Sequence, residues 1–449
     1  MSRKTKARKP ARTSLSVFAQ LCNLIPPHLA SKIARRFGVD KRARTFSPWS
    51  HLVALLYAQF THALSLNDVC DALRNHEAKL SLARHATPPS KNALSHANRE
   101  RDAAMAEALF WETLDHLTGT CPRFGGRTFK GMPRRFKRAV HAVDSSTIRL
   151  AANCIDWARH RRRKAAAKLH LRLNLQCFLP AFAIVDTAAH NDNRRARELL
   201  AGLDAGEIAV FDKAYLDFEH LWDLTGREVF WVTRAKDNMS YRVKKRLLKK
   251  PAGRILRDDL IALSVAATGG KYPGVLRLVR AVVEVDGKER EMEFLTNNLE
   301  WAASSIAELY KSRWQIEVFF KELKQTLQLC DFLGQNKNAI QWQVWTALIL
   351  YVLIRFLAFC NGWRHGFKRF FCLLRSCVWD CVSIPSLATL CGTAGGIPAM
   401  RAAPEQAYLP GFAPPRTASR PRHTPSVGQQ AGCQARTRQA DCRKCAITF

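Results

Sequence analysis

Acidic side chains are scarce in this sequence. Its 449 residues include 37 aspartates and glutamates against 71 lysines and arginines, so the formal net charge is +34 and the pI is near 10.2. So large an excess of one sign repels itself unless a polyanion is present, and nucleic acid is the natural partner because each neutralised phosphate releases a counterion. A basic ribosomal protein is usually shorter, and a protein of membrane surfaces would concentrate its charge on one amphipathic helix.

Long apolar runs and paired cysteines are also missing. The longest apolar run, Val344–Ile354, lies between Gln343 and Arg355 and is shorter than the roughly 20 residues that span a bilayer. It predicts a buried helix, and no solid apolar run near the start indicates a secretory signal. The 14 cysteines are scattered, which favours free thiols in a reducing cytosol. We therefore expect no membrane partner.

The chain divides into regions of different composition. Hydrophobic residues make up 47% of it, enough for a large core. A basic arm at 1–13 precedes a region at 14–120 whose spacing is helical, with Ser47-Pro48 typical of a helix start. Residues 121–138 are rich in glycine, proline and arginine and predict a basic linker. Residues 383–449 lack periodicity and predict a disordered basic tail.

One predicted helix of the N-terminal region, Lys91–Arg101, has two interpretations. It is either a recognition helix for DNA or a solvated helix within a bundle, and its loose spacing favours the second. The residue types that suit base edges or phosphates are Lys91, Asn92, Ser95, His96, Asn98, Arg99 and Arg101.

Strands and helices alternate over residues 139–382, which predicts a mixed α/β domain. The first predicted strand, Ala139–Val143, ends at Asp144, and a later one, Glu207–Phe211, ends at Asp212. Between about 234 and 300 the helical spacing vanishes, and Asp286-Gly287 separates two strand-like runs. We interpret this stretch as a β-rich insertion that contains a hairpin.

A helix predicted over Tyr310–Gln328 combines an apolar stripe with an unusual polar face. At about 100° per residue, one face carries Tyr310, Arg313, Glu317 and Lys324. The stripe beside it consists of Leu309, Ile316, Phe319, Phe320, Leu323 and Leu327, and the other side carries Lys311, Gln315, Glu322 and Gln325. One interpretation is an ordinary amphipathic helix with salt bridges. The other is that a carboxylate, two cations and a phenol bind phosphate and metal.

Asp144, Asp212 and Glu317 form a candidate metal site. Carboxylates at the carboxyl ends of neighbouring strands meet at one edge of a sheet, where open α/β folds bind ligands. Three hard oxygen ligands suit Mg²⁺, and two such ions about 4 Å apart promote in-line phosphoryl displacement. Structural interpretations stay open too, with Asp144 in an Asx turn and Asp212 as a helix cap.

The order of these residues resembles a known family. Asp144, Asp212 and then Tyr310-x2-Arg313-x3-Glu317-x6-Lys324 resemble the DDE transposases of the insertion-sequence-4 family, with their Y-R-E-K signature. FDKAYLDF around Asp212, FLTNN at 294–298 and LYKSRWQIEVFFKELKQ are also similar to that family, and the resemblance covers about 14–382. It implies an RNase H-like mixed sheet flanked by helices, with the β-rich insertion, behind an all-α N-terminal DNA-binding domain.

The resemblance also implies an activity and partners. The activity is cut-and-paste transposition of an insertion sequence through strand nicking, hairpin formation and resolution, and strand transfer, with two Mg²⁺ ions for which Mn²⁺ substitutes. The implied metal ligands and catalytic residues are Asp144, Asp212 and Glu317. The implied DNA and phosphate ligands are Tyr310, Arg313 and Lys324. The implied partner is double-stranded DNA, at terminal inverted repeats and at the target, bound by a homodimer in the bacterial cytoplasm at the nucleoid.

Two other functions stay open at this point. One is a catalytically inactive, transposase-derived repressor that binds element ends, against which the complete triad argues. The other is an RNase H-like nuclease without strand transfer, which the residues around Glu317 disfavour.

Hairpin chemistry also needs an aromatic platform for an unstacked base, and Tyr241 and Trp231 are the candidates.

Overall fold

The computed structural model describes residues 9–39, 46–150, 159–161, 164–187, 192–285, 288–329 and 332–391. Most of the predicted basic arm, the predicted Asp286-Gly287 turn and the chain from residue 392 onward lie outside these ranges.

The N-terminal part of the described chain is helical. Serine side chains begin four of its helices, because Ser16, Ser47, Ser65 and Ser90 each accept a hydrogen bond from the backbone N–H three residues further on. The helices are α1 Val17–Cys22, α2 Leu29–Arg36, α3 Pro48–Thr61, α4 Leu66–Asn75, α5 Glu77–Ser81, α6 Lys91–Glu100, α7 Ala104–Thr120 and α8 Pro122–Gly125.

A single mixed sheet follows the helical part. Its order is β2-β3-β1-β5-β6-β10-β9-β8-β7, with β4 paired to β3. β1, β5 and β6 are parallel neighbours, and the remaining pairs are antiparallel. The mixed α/β class is therefore confirmed. The strands are β1 Val140–Leu150, β2 Arg159–Arg161, β3 Lys164–Asn174, β4 Leu179–Thr187, β5 Ile208–Phe211, β6 Phe230–Arg234, β7 Tyr241–Arg246, β8 Ile255–Leu263, β9 Leu276–Val285 and β10 Lys288–Thr296.

β1 is longer than its sequence predicts, and Asp144 lies within it. The prediction that the strand ends at Asp144 was wrong. β3 pairs with β1 as far as Leu150, whereas β5 pairs with it only as far as Val143. The polar run at 144–147 is typical of a turn, but pairing with β3 keeps it extended, since context outweighs strand propensity. Asp144 therefore stands where β1 loses its parallel partner.

Strands β7 to β10 form an antiparallel extension that joins β6 through β10. A buried ion pair between Arg277 and Asp258 (2.8 Å) links β9 to β8. Arg277 also donates to the carbonyl oxygens of Leu299 (3.1 Å) and Trp301 (2.6 Å). The extension is thereby bonded to the chain that enters the next helix.

Helices cover both faces of the sheet. α9 and α10 pack on one face, and α12, α13 and α14 share a core with the N-terminal helices on the other. The helices are α9 Asp192–Ala201, α10 Phe218–Gly226, α11 Ala266–Gly269, α12 Ala303–Ser312, α13 Gln315–Lys321, α14 Lys337–Cys360, α15 Phe367–Ser376 and α16 Ile384–Cys391.

Helix α14 lies at the centre of the shared core. All of Val344–Ile354 is buried, which confirms the predicted buried helix. By length and composition α14 would also suit a membrane span, but 78% of its most apolar stretch is buried inside the protein. It packs against α3, α6 and α7, so the N-terminal helices and the sheet are parts of one packed body.

The two ends of the described chain pair with each other. Residues 11–20 bond to residues 378–386, and we call this pairing the terminal clasp. Thr13 N donates to Cys381 O (3.1 Å), and the buried Gln20 side chain bonds to the opposite backbone. Ordered structure continues through α16, past residue 383, where the sequence predicts the tail to begin. Backbone pairing across the length of the chain leaves no periodic signal in sequence.

Candidate active site

Asp144 and Asp212 lie side by side where β5 ends. In the parallel pair Val143 stands opposite Phe211, so the next residue of each strand is an aspartate. Alternation along the strands places both side chains on the face that α12 and α13 cover. The predicted convergence of the two aspartates is therefore seen in the structure.

Both aspartates also accept a hydrogen bond from the backbone N–H of the next residue. Asp212 Oδ1 accepts from Lys213 N (2.7 Å) and caps a short 3₁₀ turn, while Asp144 Oδ1 accepts from Ser145 N (2.8 Å). Asp144 Oδ2 is directed elsewhere, to Arg313. The turn-like and site-like roles therefore occur in the same residues.

The segment that carries Glu317 is not one continuous α-helix. α12 ends at Ser312, and 3₁₀-type bonds follow, from Arg313 N to Tyr310 O (3.0 Å) and from Glu317 N to Trp314 O (3.0 Å). A π-helical turn then runs over Glu322–Thr326. The 3₁₀ turn rotates the side chains that follow it further around the helix axis than an α-helix would, and the π-helical turn rotates them less. The four polar residues of the predicted face thus stay on the side of the strands.

Arg313 lies at the centre of the site. Its side chain is 8% exposed, and its Nη1 donates to Asp144 Oδ2 at 2.7 Å. Its Nη2 donates to Glu317 Oε1 at 3.2 Å. One guanidinium therefore bridges a strand carboxylate and a helix carboxylate. The salt bridge to Glu317 joins residues four apart, which is the pairing expected of an ordinary amphipathic helix.

Tyr310 and Lys324 complete the set. The Tyr310 hydroxyl donates to Asp212 Oδ1 (3.3 Å), and its ring packs on Phe294 of β10. Lys324 Nζ donates to the carbonyl oxygen of Thr147 in β1 (2.5 Å). Five of the six residues singled out in the sequence are therefore joined by contacts around the end of β5, and Lys324 lies beside β1 three residues beyond Asp144.

Burial dominates the electrostatics of the site. It raises the pKa of Asp144 to about 6; Arg313 lowers that pKa, whereas Asp212 and Glu317 raise it. Burial also raises the pKa of the Tyr310 hydroxyl to about 12. For Arg313, burial lowers the pKa, but the surrounding carboxylates outweigh it and raise the pKa. The three acids form an acidic cluster whose charge Arg313 offsets in part.

The carboxylates have the chemistry that divalent ions prefer, although Arg313 stands among them. In the part of the chain that the structure describes, no group of three histidine, cysteine, aspartate or glutamate side chains is gathered closely enough to hold a metal ion. Hard carboxylate oxygens nevertheless fit Mg²⁺ or Mn²⁺. The Glu317 side chain is 57% exposed against 21% for Asp144, so Glu317 has room to turn. The donor chemistry therefore suits a divalent ion, whereas the described arrangement, with Arg313 between Asp144 and Glu317, does not gather the three carboxylates around one.

A buried polar network behind the site was missed in the sequence. Glu322 was predicted to lie on the outer side of the helix, which was wrong, because the π-helical turn directs it inward. Burial raises its pKa to about 7, against the lowering effects of the nearby Arg355 and Tyr351. Tyr351 and Arg355 lie one turn apart on α14. That polar pair in an otherwise apolar helix is the signal that would have found the network.

We expect Glu322→Gln to change the pH dependence of stability. The folded-state pKa of Glu322 lies above its ordinary value of 4.5, so the folded state retains a proton that the unfolded state releases. Stability from this group is fully present below 4.5 and is lost as pH rises through about 7. The variant should match wild type at about pH 4 and be more stable by about 1–3 kcal/mol at about pH 8.

Urea denaturation at the two pH values measures this difference. Glu308→Gln, at an exposed glutamate of α12, is the matched control and should show no pH-dependent change. Equal stability of Glu322→Gln and wild type at both pH values would contradict the interpretation.

The two candidate aromatic platforms differ in accessibility. Trp231 is fully buried in β6, and its indole N–H donates to Thr225 Oγ1 (3.2 Å). It therefore has no free face on which a base stacks. Tyr241 is partly exposed at the start of β7 and stays a candidate.

Comparison with protein families gives two matches. The family described as "Transposase DDE domain" matches residues 135–353, which include all six site residues. The family described as "Domain of unknown function (DUF4372)" matches residues 13–83, within the helical N-terminal part.

Curated relatives agree with the first match. The "Putative transposase y4zB" of Sinorhizobium fredii is 31% identical over 295 residues, 65% of this chain and 78% of that protein. The "Probable transposase for insertion sequence element IS5377" of Geobacillus stearothermophilus is 31% identical over 225 residues, 50% of this chain and 58% of that protein. The "Transposase InsG for insertion sequence element IS4" of Escherichia coli is 24% identical over 198 residues, 42% of this chain and 43% of that protein.

Among solved structures, the piggyBac transposase synaptic complex with hairpin DNA aligns with a TM-score of 0.38 at 10% identity, over 87% of this chain and 86% of that one. A likeness at that level does not establish a shared fold. The family match and the relatives identify the chain on their own. It belongs to the DDE transposases, enzymes that act on DNA.

Proposed function

We propose that the protein catalyses cut-and-paste transposition of an insertion sequence by phosphoryl transfer at the site of Asp144, Asp212 and Glu317. The observation that carries this proposal is the placement of Asp144 and Asp212 at the ends of two parallel strands, with the buried Arg313 bonding Asp144 and Glu317 and with Tyr310 bonding Asp212. Turns and caps alone give no reason for the three acids to meet.

The carboxylates are proposed to hold the divalent ions that DDE transposases generally use. When bound, two Mg²⁺ ions, or Mn²⁺ in their place, supply an activated attacking oxygen and stabilise the leaving oxygen. Asp144 and Asp212 are fixed by their strands and by local hydrogen bonds. Glu317 is the most mobile of the three in our proposal, because its side chain is largely exposed.

The remaining three residues are proposed to hold the DNA backbone. Arg313 presents a forked guanidinium that matches a phosphate, and its Nε is buried without a hydrogen-bond partner among the described residues. Lys324 supplies a point charge from the π-helical turn. The Tyr310 hydroxyl donates to Asp212 and holds that carboxylate in place. Strand nicking, hairpin formation and resolution, and strand transfer would all use this one set.

Further details of the proposal follow the family resemblance. The order β4-β3-β1-β5-β6, with β3 antiparallel to its neighbours, supports an RNase H-like sheet, and β7 to β10 match the proposed insertion. Tyr310, Arg313, Glu317 and Lys324 would form the Y-R-E-K signature. The helical region at 14–120 would bind the terminal inverted repeats. A homodimer would join two ends in the bacterial cytoplasm and transfer them to target DNA.

Cleavage of DNA that carries the ends of the element tests the proposal. Wild type with Mg²⁺ should nick the strand and form hairpin ends, whereas Glu317→Ala should bind the same DNA and produce neither. Glu308→Ala removes an exposed carboxylate of the preceding helix and should cleave as wild type does.

Each outcome separates one of the alternatives. Binding without cleavage by wild type would indicate a transposase-derived repressor. Nicking without hairpins or strand transfer would indicate a nuclease. Cleavage that persists in Glu317→Ala would show that the site is assigned wrongly.

A further inference from the structure

Helix α6 presents a polar face that no other described element covers. Leu94, Ala97 and Asn98 are buried against α4 and α14. The exposed residues of the opposite face are Lys91, Asn92, Ser95, His96, Arg99 and Glu100. The two interpretations of this helix in the sequence differ in what this face contacts.

Buried polar bonds hold α6 in one orientation. His51 Nε2 donates to Asn98 Oδ1 (2.8 Å), and burial lowers the pKa of His51 to about 3, which keeps its ring neutral. Asn338 Nδ2 donates to the carbonyl oxygens of Asn98 (2.9 Å) and Arg101 (2.6 Å). Such bonds fix a unique geometry because each partner left unpaired would be penalised. The Arg101 guanidinium donates to the carbonyl oxygens of Ser47 (3.1 Å) and Phe46, so the side chains of Asn98 and Arg101 both anchor the helix from behind and are not available for recognition.

Charge on the exposed face suits an anion. The acidic residue of this exposed face is Glu100, which forms a salt bridge with Arg99 at 2.7 Å. Both of these side chains are more than half exposed, and such pairs contribute little, so Arg99 is easily drawn to another acceptor. Asn92, Ser95 and His96 add neutral donors and acceptors between the two cations. Neutral hydrogen-bonding groups between cations match base edges between phosphates.

The dimensions agree with the same partner. An α-helix with its side chains is about 10–12 Å across, and the major groove of B-DNA, about 12 Å wide, admits it. We infer that α6 enters the major groove at the ends of the element and determines which sequence is bound. This inference rests on the proposed function, since it names the surface by which the proposed enzyme selects its DNA.

Competitive binding of two duplexes tests the inference with the full chain. One duplex carries the end of the element, and the other has the same composition in scrambled order. The double variant Asn92→Ala/His96→Ala should lose about 10- to 100-fold affinity for the first duplex. Its affinity for the scrambled duplex should stay within about twofold of wild type, because phosphate contacts supply non-specific binding.

Two further variants show what loss of a phosphate contact and loss of an unrelated side chain do to the two affinities. Lys91→Ala should weaken binding to both duplexes by the same factor and reduce the salt dependence, as loss of one phosphate contact predicts. His116→Ala removes an exposed histidine of α7 and should leave both affinities unchanged.

The possible results separate the two proposals. If wild type prefers the element end and the double variant prefers it equally, α6 is not the specificity surface, while the proposed function stands. If wild type shows no preference between the duplexes, specific end binding fails and this inference fails with it. If His116→Ala lowers end affinity as much as the double variant does, the effect is not specific to α6.

Discussion

An Arg313→Ala variant should bind a divalent ion more tightly than wild type in the absence of DNA, yet lose strand cleavage. In the free protein the Arg313 guanidinium is bonded to Asp144 and Glu317 and stands in for a cation. An entering ion must displace this charge. Its removal should raise the affinity for Mn²⁺ or for Tb³⁺ as a luminescent probe by about 10- to 100-fold. Metal titration of the DNA-free protein measures the effect.

Arg313→Ala should lose cleavage although it binds metal more tightly, because Arg313 is also proposed to bind the DNA backbone. When DNA is bound, the Arg313 guanidinium would leave the carboxylates and bind a backbone phosphate. Removing the guanidinium would therefore weaken the complex in which the reaction occurs. Lys311→Ala is the matched control, because it removes an exposed cation of the same segment and should change neither property. Unchanged metal affinity in Arg313→Ala would refute the idea that this arginine occupies the place of an ion.

Asp212→Asn is expected to abolish cleavage while the fold and DNA binding persist. Asparagine retains the Oδ1 atom that accepts from Lys213 N and from the Tyr310 hydroxyl. It removes the negative charge, and with it a ligand of the proposed ions, which stabilise the transition state by several kcal/mol. The rate should fall by about 1,000-fold or more in single-turnover assays.

The same substitution five positions later provides a control. Asp217 caps α10 through a hydrogen bond from Glu219 N (3.2 Å) and lies outside the carboxylate cluster. Asp217→Asn should cleave at the wild-type rate. A similar loss in both variants would indicate a structural effect instead of a catalytic one.

Much of this architecture is predictable from local patterns. The buried run Val344–Ile354 and the serine caps at Ser47 and Ser90 follow from hydrophobic spacing and from helix-end chemistry. The two aspartates after strand-like runs indicate a site because strands bring their ends to a common edge. The mixed α/β class follows from the alternation of strands and helices.

What escapes prediction depends on pairing between distant residues. Asp144 was placed at a strand end because its polar neighbours look like a turn, while the partner that keeps them extended lies in β3. The π-helical turn at Glu322 has no periodic signature, and it alone decides that a charged residue points inward. The bridging position of Arg313 follows from the meeting of three segments. Helical spacing alone predicts that Arg313 shares a face with Tyr310, Glu317 and Lys324, but it does not predict which carboxylates Arg313 contacts.

The terminal clasp has a consequence for how the protein is made. Helix α1 packs where residues 378–386 supply its partners, and the ring of Phe18 contacts the ring of Trp379. A nascent chain on the ribosome has its N-terminal segment long before those partners are synthesised. Gln20 and its neighbours stay without them until nearly the whole described chain has emerged. The N-terminal end of the helical part therefore reaches its final packing only after residues 378–386 have been made, so a product that terminates before them lacks the contacts of the terminal clasp.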